Sequence, residues 1–328
     1  MIRVIYRSRN GNLLTALVSK SSVRISALLF LLLVAAACSS SSDTVSNTAV
    51  SRESDIREKK LLKVRDAVIP FFETMQKRPG DWLESQREKG ETFEEYIASQ
   101  PTLPTDDRKT IYILPIGKFT RSQKDVIAAS AEYMRAYYSL PVKLMPEKPL
   151  GVVPKDKQRE SGYPKRTQIR ALHFLDTVLP PLLPTDAAAL IAFTNHDLYP
   201  SDTWAFVFGM ATFNKRVGVW SLYRLGEKVD DSTFLDRTLK IAMHETGHMF
   251  SMRHCTKYEC LMSGTNHLAE TDRRPLDNCP ECVAKLAWAM DYDPEQRYKK
   301  LADFWRKQGN KAEEKKMNDK AAAVKNIK

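Results

Sequence analysis

Residues 244–255 read HETGHMFSMRHC, and this stretch holds three of the six histidines in the 328-residue chain. On a helix, residues four apart share a face, so His244 and His248 project toward one point, with Glu245 one step round. A straight helix would carry His254 away from that point. For a third imidazole to join the first two, the chain has to turn back just after Phe250. Three imidazoles on one divalent cation leave a coordination position open, which is the arrangement of a catalytic zinc. Water held there becomes acidic enough to attack a carbonyl, and Glu245 is placed to act as its general base. In the zincin pattern H-E-x-x-H-x-x-G-x-x-H a glycine makes the turn; here that position is Ser251. Positive φ at a non-glycine residue costs on the order of 1 kcal/mol, which three metal bonds would offset.

Cys255 follows His254 directly. With Cys260, Cys279 and Cys282 it forms a C-x4-C and C-x2-C set within 28 residues. Four thiolates at such spacing fit a closed, structural zinc site. In an oxidising compartment the same four could close two disulfides in any of three pairings. Either cross-link staples the loop that carries the third histidine.

The compartment question comes from the remaining cysteine, Cys38. Residues 1–37 contain five basic residues and no acid, then "ISALLFLLLVAAAC", an apolar run too short to span a bilayer comfortably. Small residues ahead of Cys38 resemble a bacterial lipoprotein signal. That resemblance implies cleavage before Cys38, a lipid on its sulfur, and residence in the bacterial cell envelope, with Ser39 hinting at an outer membrane. An ordinary signal peptide (1–37) or N-terminal anchor is the other reading. Residues 38–57 are Ser-rich and read as a flexible tether.

The net charge of +11 falls by five once the leader is set aside, and the last 24 residues hold eight basic against three acidic side chains. What remains is close to neutral, so a basic nucleic-acid groove has no support. The tail, 291–328, reads as a basic, solvated and partly helical end that could touch an anionic membrane.

Between these ends, helical spacing runs over 58–78, with Pro70 as its stop, and a turn and short helix complete an N-terminal extension of 58–106. Residues 110–117 read as a buried strand, 122–140 as a helix capped by Ser122, 141–146 as a short strand and 147–166 as a surface loop. "TQIRALHFLDTVLPPLL" (167–183) reads as a helix. Three strand candidates follow, then a long helix opened by Asp230, Asp231 and Ser232. The pattern predicts an α+β fold with a mixed sheet and helices beneath it.

The stretch from His244 through Cys260 and Met262, with "NHLAETDRRPLDNCPECVAKL" downstream, resembles the archaemetzincins, a family of zinc metallopeptidases in the metzincin clan. Further likeness lies in "GDWL" (80–83), "ETFEEY" (91–96), "FTNHDLYP" (193–200), "FVFGMA" (206–211) and "VGVWSLYRL" (217–225), so the resemblance covers about 79–290. The first two segments are closer to the longer, eukaryotic-type members. The resemblance implies a metzincin-like zincin domain over 107–290, with a twisted mixed sheet, the 244–248 helix on the cleft floor and a small C-terminal subdomain. It also implies two zinc ions per chain. One is catalytic, on His244, His248 and His254 with Glu245 as general base; the other is structural, on Cys255, Cys260, Cys279 and Cys282. Met262 would be the methionine of the turn beneath the catalytic metal, and a peptide or protein the substrate.

Other residues attract weaker readings. His196 and Asp197 read as structural or rim residues and His173 as packed or superficial. Asn266 and His267 either line a pocket or hold a turn. Phe206, Val207 and Phe208 read either as core or as an edge strand to which an extended peptide adds. The rival function is a zinc-stabilised surface lipoprotein that binds peptides without turnover; Ser251 favours it and Glu245 opposes it.

Overall fold

The computed structural model describes residues 2–4, 43–162 and 165–327. The remainder of the leader, Cys38 and the start of the tether lie outside the described residues. The strands are β1 (Ile2–Val4), β2 (Thr110–Ile116), β3 (Val142–Leu144), β4 (Gln158–Ser161), β5 (Arg166–Arg170), β6 (Ala187–Thr194), β7 (Asp197–Tyr199), β8 (Gly209–Ala211) and β9 (Val217–Ser221). The helices are α1 (Asp43–Ala67), α2 (Trp82–Ser85), α3 (Phe93–Ala98), α4 (Arg121–Tyr138), α5 (Ala171–His173), α6 (Asp231–Met249), α7 (Leu268–Arg273), α8 (Pro280–Met290), α9 (Pro294–Lys307) and α10 (Lys311–Val324).

The main sheet runs β1-β8-β9-β6-β2-β3. Its inner strands, β6 with β2 and β9, are parallel, and β8 is antiparallel to β9. The sequence AAALIAFT of β6 is apolar throughout because both faces of this strand are covered. Ile191 and Phe193 join the core shared with α4 and α6, while Leu190 and Ala192 join a second core against Phe174 and Leu175. The layer of α4 and α6 is pinned further by the Tyr138 hydroxyl, which donates to Met243 O at 2.6 Å.

Several expected elements differ. The capping residue of α4 is Thr120, which forms a capping box with Gln123, and not Ser122. Residues 166–170 form β5 rather than the start of a helix. Pairing with β4 and β7 builds a second, three-stranded sheet there and also converts part of the expected 147–166 loop into strand. Helix α1 ends at Ala67, ahead of a tight turn containing Pro70, and begins at Asp43, inside the segment read as a tether.

The basic tail is folded in, not solvated. Between them α9 and α10 bury Tyr298, Leu301, Phe304, Trp305, Met317 and Val324, an apolar stripe that the surrounding lysines obscure in composition. Arg297 and Lys320, both on these helices, meet Asp277 at 2.9 and 2.8 Å, all three buried. Burial of charge is tolerable because each partner is compensated.

The candidate metal centres

Asp230 caps α6 by accepting from Thr233 N, and the helix delivers His244, Glu245 and His248 into the interior. Gly247 is required on the opposite side, because a Cβ there would lie 2.6 Å from the sulfur of Met262. Met262 thus packs against the helical turn that joins the two histidines.

The helix then stops in a Schellman arrangement. Ser251 N donates to His248 O at 2.9 Å and Met252 N to Gly247 O at 3.1 Å. Ser251 takes φ +64°, the left-handed conformation that usually calls for glycine. Its hydroxyl oxygen accepts from Thr102 N at 3.0 Å, and the preceding carbonyl, Phe250 O, accepts from the Tyr96 hydroxyl at 2.7 Å. These bonds hold the strained residue in place. The turn returns His254 to the other two histidines, and the three lie with ligand nitrogens within 4.8 Å of one another.

Hydrogen bonding settles which nitrogens face inward. His244 Nδ1 is 2.8 Å from Leu261 O, and His248 Nδ1 is 2.6 Å from Met252 O. A carbonyl only accepts, so each Nδ1 carries the hydrogen and each neutral ring presents a bare lone pair at Nε2. Burial, then the nearby His254, pushes His244 down to about 3, and burial holds His248 well below the ordinary histidine value, so neither is protonated near neutrality. Their two Nε2 atoms are nevertheless 2.9 Å apart. Two lone pairs at that distance repel unless a cation lies between them. The buried Nε2 of His254 and both carboxylate oxygens of Glu245 also lack a hydrogen-bond partner. This donor set fits a metal.

Glu245 is fully buried, and burial raises its carboxyl well above the ordinary value. Strand β8 passes close to it: a Cβ on Gly209 would lie 3.0 Å from Glu245 Oε1. This strand begins at Gly209, so Phe206–Phe208, the residues read as its edge, precede it. Val207 bridges instead to Leu198, and Phe208 O accepts from Ser221 N.

The second cluster is a few ångströms of chain away. Cys255, Cys260, Cys279 and Cys282 are all free and buried, with sulfurs within 4.8 Å of one another. The sulfurs of Cys255 and Cys279 are 3.5 Å apart, far from a bond of about 2.05 Å and near the ~3.8 Å edge of a zinc–thiolate tetrahedron with Zn–S of ~2.3 Å. Met262 N and Cys279 N both point at Cys260 Sγ, at 3.4 and 3.3 Å. The CPEC sequence opens α8, with Cys279 at the cap and Pro280 in the first turn, where the helix dipole favours thiolate. Hydrogen bonds from Cys260, Cys279 and Cys282 pull the Cys255 thiol well below its ordinary value, whereas burial raises Cys260 and Cys279.

Other sequence candidates are structural. Asp197 is buried and receives Arg224 in a two-pronged pair at 2.8 and 2.7 Å. His267 caps α7 by accepting from Glu270 N, and Asn266 N donates to Glu270; they hold a turn. Sequence reasoning missed Glu88, whose carboxylate oxygens lie 3.0 and 2.9 Å from His254 Nδ1. A cavity of about 590 Å³ opens beside this pair, with Ser251 and Arg253 on its wall.

An α/β fold with a mixed sheet and a convergent histidine trio agrees with the class that the sequence relatives define, a zinc metallopeptidase. A family model described as Peptidase family M54 matches residues 185–288. Archaemetzincin-2 from Macaca fascicularis and from Homo sapiens are each 34% identical over 259 residues, covering 68% of this chain and 71% of theirs. Among solved structures, archaemetzincin from Methanopyrus kandleri is 25% identical, with TM-score 0.46, over 58% of this chain and 99% of its own. The chain belongs to the archaemetzincin family. Ser251 completes the turn in place of glycine, so the feature that favoured a non-enzymatic binding module no longer does.

Proposed function

We propose that His244, His248 and His254 hold the catalytic zinc, that Cys255, Cys260, Cys279 and Cys282 hold a second, structural zinc, and that Glu245 is the general base for peptide-bond hydrolysis. The observation that carries this reading is the trio of inward lone pairs beside an unpartnered carboxylate. Zinc, when bound there, supplies a Lewis acid that makes water nucleophilic and polarises the scissile carbonyl. Glu245 accepts the proton that water loses as its oxygen attacks the carbonyl carbon. It then donates that proton to the nitrogen as the C–N bond breaks, leaving a carboxylate and a free amine. Burial of Glu245 keeps bulk water from competing for either transfer.

Strand β8 supports the placing of the substrate. An extended segment pairs antiparallel along it, Ile2–Val4 with Gly209–Ala211, and Gly209 is the residue that approaches Glu245. A substrate peptide would take this register, bringing its backbone to the acid. The leader reading belongs to the same proposal: cleavage before Cys38 removes residues 2–4 and frees that edge, and the lipid on Cys38 keeps the enzyme at the cell envelope. Residues 107–290 form the proposed catalytic unit, with 58–106 as an extension bracing it and 291–328 closing its base.

A peptide-library digest tests the reaction. Cleavage that disappears on chelation and returns with zinc supports the reading, and absence of cleavage by fully zinc-loaded protein contradicts it. For the anchor, Cys38→Ser should release the protein from the membrane fraction and abolish lipid labelling; an unchanged distribution contradicts it.

A further inference from the structure

The three histidines are not supported alike. His244 and His248 are fixed twice over, by the α6 backbone and by Nδ1–H bonds to carbonyls. His254 stands on a loop, without a helix to aim it. Its Nδ1 faces a carboxylate, Glu88, whose two oxygens are both within 3.0 Å. Glu88 comes from the segment between α2 and α3, 166 residues earlier in the chain.

That segment is itself held. The Thr256 hydroxyl donates to Lys89 O at 3.3 Å, and Lys285 binds Glu91 through both its carbonyl, at 2.6 Å, and its carboxylate, at 3.1 Å. Gly90, at φ +75°, lies so close to Thr256 that a Cβ would be 2.3 Å from its hydroxyl oxygen. The Trp82 ring stands edge-on to the His254 ring, with centroids 5.3 Å apart. His254 is thus contacted by two side chains of the N-terminal extension, Trp82 at its ring and Glu88 at Nδ1.

We infer that Glu88 is a positioning residue for the catalytic metal, and that the N-terminal extension completes the zinc site by orienting its third ligand through Glu88. The inference rests on the assignment of zinc to the three histidines. A carboxylate behind a ligating imidazole fixes the tautomer that leaves Nε2 bare, fixes the ring, and makes Nε2 a stronger donor; loss of such a partner costs about 10–100-fold in metal affinity or activity. The loop-borne ligand is the one that needs it.

The test uses the full chain with zinc, in wild type, Glu88→Ala and Glu88→Gln. Competition with a chromophoric chelator reads the more labile zinc, and cobalt substitution reads ligand geometry by visible absorption. Glu88→Ala should weaken the labile metal by about 10-fold or more, alter the cobalt spectrum, and lower kcat at saturating zinc with little change in KM. The zinc held by the cysteines should stay. Glu88→Gln, isosteric and still able to accept from Nδ1–H, should fall between wild type and alanine, and it decides the matter if the alanine variant does not fold. Metal affinity within about twofold of wild type in the glutamine variant, with an unaltered spectrum, overturns the inference. If wild type itself holds zinc only at the cysteines, the histidine assignment falls first. If wild type is fully loaded and active and the variants match it, the role of Glu88 alone falls.

Discussion

Two neighbouring residues, His254 and Cys255, enter two sites that differ in one physical respect. The cysteine cluster is closed. Four sulfurs face one another, all buried, and two backbone N–H groups point at Cys260. Such a site is complete when filled and serves to hold chain segments together. In the histidine cluster three imidazoles converge, the carboxylate of the neighbouring Glu245 has no hydrogen-bond partner, and strand β8 passes close to that carboxylate. In the function proposed above, stability belongs to the first and reactivity to the second. On that proposal their adjacency lets the cysteine site hold the loop that carries His254.

The contrast breaks most readily from the cysteine side. Cys279→Ser should remove the structural zinc and cost on the order of 5 kcal/mol or more, read by denaturant unfolding of the zinc-loaded protein, with His254 losing its place as a consequence. Stability unchanged from wild type would mean that the cysteines do not staple the fold. Glu245→Gln should do the reverse, lowering kcat by about 10²–10⁴-fold while zinc content and unfolding midpoint hold; retained turnover would remove Glu245 as base.

A third test concerns Asp277, which lies two residues before Cys279 and accepts from Leu261 N through its carbonyl at 3.1 Å. Burial raises the Asp277 carboxyl, but Lys320 and Arg297 outweigh it and hold the group below the ordinary carboxylate range. A native value below the unfolded one stabilises the fold above the unfolded pKa, and that contribution is lost as pH falls through the native value. Asp277→Asn should therefore destabilise by about 3–5 kcal/mol near neutrality and flatten the acid limb of the stability profile below about pH 4. An acid limb identical to wild type would show that the cluster is not coupled to folding.

The smallest effect is expected at Ser251. Glycine would relieve about 1 kcal/mol of left-handed strain and forgo a hydrogen bond of about 1 kcal/mol from Thr102. Ser251→Gly should then leave unfolding free energy and kcat near wild type; a loss above about 2 kcal/mol would make the hydroxyl, rather than the turn, the important feature.

What could be read from sequence follows from how far apart the interacting residues are. His244, Glu245 and His248 are legible because helix geometry alone aligns positions four apart, and the turn at Ser251 follows from the need to bring His254 back. The C-x4-C and C-x2-C spacings are local in the same sense. Glu88 is not: nothing near it in sequence distinguishes it from Glu84 or Glu91, and only folding brings it to His254. Strand β5 was hidden because "TQIR" continues into a helical stretch, its hairpin partner β4 lies in a polar segment that reads as loop, and its other partner, β7, is distant in the chain. The burial of Phe304, Trp305 and Met317 was masked by lysines that occupy the exposed faces of the same helices.

The most direct test is a zinc-edge anomalous difference map from crystals of the zinc-loaded protein. Two peaks are expected, one bounded by Nε2 of His244, His248 and His254 at about 2.0–2.1 Å and one within the four sulfurs at about 2.3 Å. A map with no peak among the histidines, or with the His254 ring turned away from the other two, would contradict the account.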